Sequence, residues 1–81
     1  NKIKAGLPKN TKIYHKTGSG SRTPKGLKIA DNDAGYVRLP NGDLYYIAIM
    51  IKDSPLSDDE NSKIISDISK IVYQYFCINK N

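Results

Sequence analysis

The hydrophobic positions of this chain fall into two periods. Residues 44–51 read Leu-Tyr-Tyr-Ile-Ala-Ile-Met-Ile, a β-branched and aromatic run with no polar alternation. Such a run predicts a strand with both faces covered. Residues 58–77 instead place Ile64, Ile65, Ile68, Ile71, Val72, Tyr75 and Phe76 at helical spacing, with Lys63, Asp67, Lys70 and Gln74 opposite. This predicts an amphipathic helix. Ser57-Asp58-Asp59-Glu60 precedes it as a capping box, with the acids complementing the helix N-terminal dipole. Burial of each large side chain in that stripe contributes on the order of 1.5–3 kcal/mol. Ile68→Asp is therefore expected to unfold the chain or leave it insoluble. The helix can cover only one face of the 44–52 strand. The other face requires cover from outside these 81 residues or from a second copy.

Two further strands precede that one. Residues 11–19 form the first, and period-2 geometry groups Ile13, His15, Thr17 and Ser19 on one face and Lys12, Tyr14 and Lys16 on the other. Gly18 to Gly26 reads as a long Gly- and Ser-rich loop. Residues 33–39 form the second strand, and Pro40-Asn41-Gly42-Asp43 carries an Asn-Gly turn signal into the third. Residues 1–10 contain Gly6 and Pro8, which suit an extended lead-in or the tail of an earlier element. The expected fold is α+β in a single unit, 1–81: an antiparallel sheet of about three strands with one C-terminal helix packed on one face.

Composition narrows the picture. Cys77 is the sole cysteine, so no disulfide can form within the chain, and it has no His or Cys neighbour at metal-ligand spacing. No metal or cofactor is implied. No apolar run reaches membrane-spanning length. The chain starts without Met and without a signal-like segment, which suits a mature or excised fragment. The net charge of +5 is lopsided: the first 28 residues carry eight basic side chains and no acid. An anionic partner follows from that asymmetry. Nucleic acid is disfavoured, because Tyr14 is the only aromatic among the scattered cations and no stacking platform is apparent.

Candidate chemistry concentrates in His15-Lys16-Thr17-Gly18-Ser19-Gly20. A lysine, two hydroxyls and two glycines at the end of a strand suit the holding of an anion. A half-exposed edge strand, its lysines discouraging pairing with other chains, accounts for the same residues without a ligand. His15 is read as a structural strand residue, since no partner at triad geometry is evident.

Lys16-Thr17-Gly18 followed by Ser19-Gly20 resembles the Lys-Thr-Gly motif of class A β-lactamases and penicillin-binding proteins. Lys4-Ala5-Gly6-Leu7-Pro8, Asn32-Asp33, Leu39-Pro40-Asn41-Gly42 and the C-terminal helix are similar to that family in order and spacing, to about Phe76. The resemblance implies the C-terminal part of a class A β-lactamase, within its α/β domain. It implies that Lys16 adds positive potential, that Thr17 and Ser19 bind the β-lactam carboxylate through their hydroxyls, and that the Ser19 N–H is one oxyanion-hole donor. Gly18 and Gly20 would keep the strand edge clear. Arg22 and Lys28 could add charge directed at the carboxylate. It further implies a β-lactam as ligand, a periplasmic or secreted location and no membrane partner. The family's Ser-x-x-Lys nucleophile is missing, as is Ser-Asp-Asn, and the sole glutamate, Glu60, belongs to the helix cap. Turnover by these residues alone is not expected. A non-catalytic anion-binding module that kept only the sheet is the alternative.

Overall fold

The computed structural model describes residues 2–78. In chain order it comprises α1 (Lys2–Ala5), β1 (Ile13–Ser19), β2 (Lys28–Arg38), β3 (Leu44–Ser54) and α2 (Asp58–Ile78). The strands form one antiparallel meander, β1-β2-β3, with β1 at one edge and β3 at the other. The α+β plan expected from the sequence is the plan found.

Two departures are instructive. The first is at the β1–β2 connection. Hydrogen bonding continues past Ser19, from Gly20 N to Ala30 O (2.8 Å) and from Ile29 N to Ser21 O (2.9 Å), and Arg22 bridges Lys28. Residues 18–26 are thus mostly hairpin, and β2 starts at Lys28 rather than near residue 33. The connection itself is tight. Gly26 N donates to Thr23 O, Thr23 N donates to Leu27 O, and Gly26 takes a positive φ of 85°. The β2–β3 hairpin repeats this arrangement with Leu39, Gly42 and Asp43, and Gly42 has a φ of 94°. In both, a Pro follows the first turn residue and a left-handed Gly closes a bulged turn.

The second concerns α1. Of the two readings of the lead-in, the extended segment is not found: residues 2–5 form a helical turn ended at Gly6. A Cβ at Gly6 would stand 2.0 Å from the Ser66 carbonyl oxygen, so the absence of a side chain lets α1 lie against α2.

The core lies between the sheet and α2. Ile3, Val37, Leu39, Tyr45, Ile47, Ile65 and Tyr73 are buried, with Ile13, Ile49, Ile51, Val72 and Phe76 packed around them. Tyr45 and Phe76 stack at 4.6 Å. α2 meets this core through Asn61, Ile65, Ser69 and Tyr73, a face rotated from the one its aliphatic residues suggested. Ile64, Ile68 and Ile71 are exposed; Ile68 is 39% accessible and does not carry the packing assigned to it from the sequence. Ile65 does. The capping box forms in both directions, Glu60 N to Ser57 Oγ and Ser57 N to Glu60 Oε1, each 3.1 Å. The far face of the sheet is uncovered: Tyr46 is 58% and Met50 66% exposed.

Candidate active-site wall

β1 is an edge strand, and its register decides what each site residue can reach. Thr17 lies opposite Asp33 and Ser19 opposite Asp31, so these side chains share the α2-facing side of the sheet. Lys16 lies opposite Ala34, on the uncovered side. Gly18 pairs with Asn32 between them. Lys16, Thr17 and Ser19 are exposed, whereas Gly18 and Gly20 are half-buried.

The backbone adds a second direction. Gly20 N–H points into the sheet, at Ala30 O. Amides alternate sides along an antiparallel strand. The N–H groups of Thr17 and Ser19 therefore point off the free edge, away from β2. A donor of that kind, with hydroxyls on either side of it, can receive an oxygen bearing negative charge.

The space above Gly18 is used internally. A Cβ there would lie 2.5 Å from Asn32 Oδ1, so the glycine accommodates the asparagine side chain folded over the strand. Gly20 is also tight, its Cβ position being 3.3 Å from Ala30 N.

Beneath this edge lies a buried polar layer that sequence reasoning missed. The Lys2 ammonium bonds the Asp31 carboxylate, and also reaches Gly18 O (3.3 Å) and Asn32 O (3.2 Å). Asp33 is fully buried. It accepts the Ile3 N–H (3.0 Å), and His15 Nδ1 lies 3.1 and 3.2 Å from its two oxygens, a geometry in which Nδ1 donates. His15 therefore has a partner, and that partner tethers β1 to α1. The available signal was in β2. Asp31 and Asp33 stand two apart on a strand whose same face carries Val37, so both acids had to find donors inside the protein.

Arg22 and Lys28 are directed elsewhere. Both approach Asp58 at the start of α2, at 3.1 and 3.2 Å, and Arg22 also donates to Leu56 O and Gly26 O. They brace the β1–β2 hairpin against the helix rather than adding charge beside Thr17. The Lys28 hydrogen bond, then its charge, and then Arg22 hold the Asp58 carboxyl below the usual carboxylate range. Glu60 is lowered likewise, by the Ser57 N–H and then the Ser57 hydroxyl. Both acids are engaged at the start of α2, Asp58 by Arg22 and Lys28 and Glu60 by Ser57.

The sequence of residues 1–76 matches the β-lactamase enzyme family. A β-lactamase of Bacteroides uniformis is 52% identical over 73 residues, which span 90% of this chain and 25% of that protein. β-Lactamase VEB-1 of Pseudomonas aeruginosa is 45% identical over 99% of this chain and 26% of its own length. The crystal structure of a class A β-lactamase from Bacteroides cellulosilyticus superposes with a TM-score of 0.93 at 52% identity, covering 96% of this chain and 28% of that one. The chain thus spans about a quarter of the length of these relatives, and the three-stranded sheet with its C-terminal helix is a part of their fold. By sequence and by fold, this chain belongs to the class A β-lactamase family.

Proposed function

We propose that these residues form the carboxylate-binding and oxyanion-stabilising wall of a β-lactam-hydrolysing site. Thr17 and Ser19 receive the substrate carboxylate through their hydroxyls. The Ser19 N–H, off the free edge of β1, receives the carbonyl oxygen as it gains negative charge during ring opening. Gly18 and Gly20 complete the binding edge, and Lys16 contributes positive potential from the other side of the strand. The observation that carries the reading is the free edge: hydroxyls on one strand face and an unpaired amide direction meet at Ser19. One preorganised oxyanion donor lowers the barrier by about 3 kcal/mol in a closed site.

The groups that attack and deacylate come from outside these residues. The chain carries no Ser-x-x-Lys, and its single glutamate is engaged in the α2 cap. The 81 residues alone are therefore inert towards β-lactams. The partner is the N-terminal portion of a class A enzyme, which also covers the bare sheet face. A second copy would cover that face without restoring chemistry. The expected setting is the periplasm or the exterior, as is typical of the family. Among the described residues no helix is long and apolar enough to cross a membrane.

The test mixes this chain with the N-terminal three-quarters of the Bacteroides uniformis relative and follows nitrocefin hydrolysis. Activity in the mixture, and in neither part alone, is the expected result. No complementation at any concentration, with both parts folded, overturns the reading. Retained carboxylate binding in that case would favour the non-catalytic anion-binding module.

A further inference from the structure

We infer that Lys2 is a positioning residue for the Gly18–Ser19 peptide, fixing the direction in which the Ser19 N–H leaves the edge of β1. The inference rests on the oxyanion role proposed for that N–H.

An ammonium has three donors and no acceptor. Lys2 has three acceptors within reach: the Asp31 carboxylate, Gly18 O and Asn32 O. Its side chain is 14% exposed and that of Asp31 3%, so the charge is neutralised locally. The ammonium lies beneath the Gly18–Asn32 register pair, on the α2-facing side of the sheet.

The peptide bond transmits this contact. It is planar and trans, so the Gly18 C=O and the Ser19 N–H are opposite ends of one rigid unit. Holding the carbonyl inward holds the N–H outward. A cation at the carbonyl also polarises the peptide and strengthens its N–H as a donor. β1 is an edge strand with neighbours on one side only, so an added restraint on this peptide matters more here than in β2.

Lys2 is itself held. It begins α1, whose next residue donates from Ile3 N to Asp33 and accepts at Ile3 O from Ser69 Oγ, 2.8 Å away. Gly6 lets the turn lie against α2. The restraint therefore runs from the core through α1 to the peptide whose far end faces substrate.

The experiment uses a chimera in which this chain replaces the corresponding C-terminal quarter of the Bacteroides uniformis enzyme. Lys2→Met is expected to lower kcat about tenfold, a fraction of the loss seen when an oxyanion donor is removed outright. KM should stay within about twofold. Phenylboronic acid, which forms a tetrahedral adduct and carries no carboxylate, should bind about tenfold more weakly, following the transition state. The Ser19 amide resonance of the nitrogen-15-labelled chimera should move more than that of Thr17. Asp31→Asn, which leaves the ammonium but weakens its anchor, should shift the same readings in the same direction and serves if Lys2→Met does not fold. An unchanged kcat and boronate affinity overturns the inference. So does a raised KM with normal boronate binding, which would make Lys2 a carboxylate ligand. A folded chimera without hydrolysis counts against the proposed function instead, and the Ser19 resonance then decides the positioning claim alone.

Discussion

The two apolar faces of α2 carry similar residues and have opposite surroundings. One face sets Ile65, Val72, Tyr73 and Phe76 against the sheet, with Asn61 and Ser69 buried among them. The other sets Ile64, Ile68, Ile71 and Ile78 toward solvent, with Ile71 65% exposed. The outward face is the more aliphatic of the two. Hydrophobic period therefore does not by itself say which face of a helix packs on the sheet. In a segment spanning about a quarter of its relatives, the richest stripe can belong to an interface with the remainder.

That contrast can be broken at defined points. The largest effect is expected from Ile65→Asp. It removes a fully buried side chain and places a carboxylate in the core, a loss of several kcal/mol that exceeds the margin of a chain this short. Circular dichroism should show no cooperative melt. The double variant Ile68→Asp/Ile71→Asp should do far less to folding, within about 1 kcal/mol, and should reduce self-association of the isolated chain in light scattering. Equal damage from the inner and outer variants would erase the distinction.

Two smaller effects sharpen it. Ser57→Ala breaks the capping box, and the melt should lose about 1 kcal/mol. Tyr45→Phe should gain up to about 1 kcal/mol, because the Tyr45 hydroxyl is buried with no hydrogen-bond partner among the described residues. Burial chiefly, then the Tyr73 and Cys77 charges, push the Tyr45 phenol up to about 12. The folded state thus prefers the neutral phenol. Ionisation of this group therefore costs no stability below the ordinary tyrosine value near 10, and stability falls as pH rises from there towards 12. Tyr45→Phe should flatten the alkaline limb of a stability–pH curve over that window.

At the acid end Asp58 and Glu60 have the opposite sign. Their folded values lie below the unfolded ones, so their contribution is present above the usual carboxylate range and disappears as pH falls through the lowered values. Both are exposed, so the effect should be the smallest of the set. Asp58→Asn should reduce the acid-limb slope measurably only at low salt.

What could be read from the sequence follows the same division. Local grammar was legible: the capping box, the Leu39–Asp43 hairpin and the meander all rest on neighbours a few residues apart. Thr23-Pro24-Lys25-Gly26 makes the same turn as Leu39-Pro40-Asn41-Gly42, yet lies in a polar stretch without alternation, which hides the hairpin within residues 18–26. The first half of β2 was obscured for a physical reason. Asp31 and Asp33 are poor strand formers by composition, and their places in the sheet depend on Lys2, Ile3 and His15, which are remote in sequence. Of the candidate site, what was legible is the strand itself, and the register of β1 puts Thr17 and Ser19 on one face as the period requires. The layer supporting it was not, because one turn of helix at Lys2–Ala5 carries too little periodicity to be seen.

The Ser69–Ile3 hydrogen bond joins residues 66 apart. The strands close through tight turns, whereas docking α1 on α2 must close nearly the whole chain, at a greater cost in loop entropy. The folding order expected from this is meander and helix first, with α1 locking on last. The same asymmetry operates in reverse during native-state fluctuations, when the segment closed last is the first to open. Amide hydrogen exchange should therefore find Ile3 N–H, though buried and bonded to Asp33, less protected than the β2–β3 ladder.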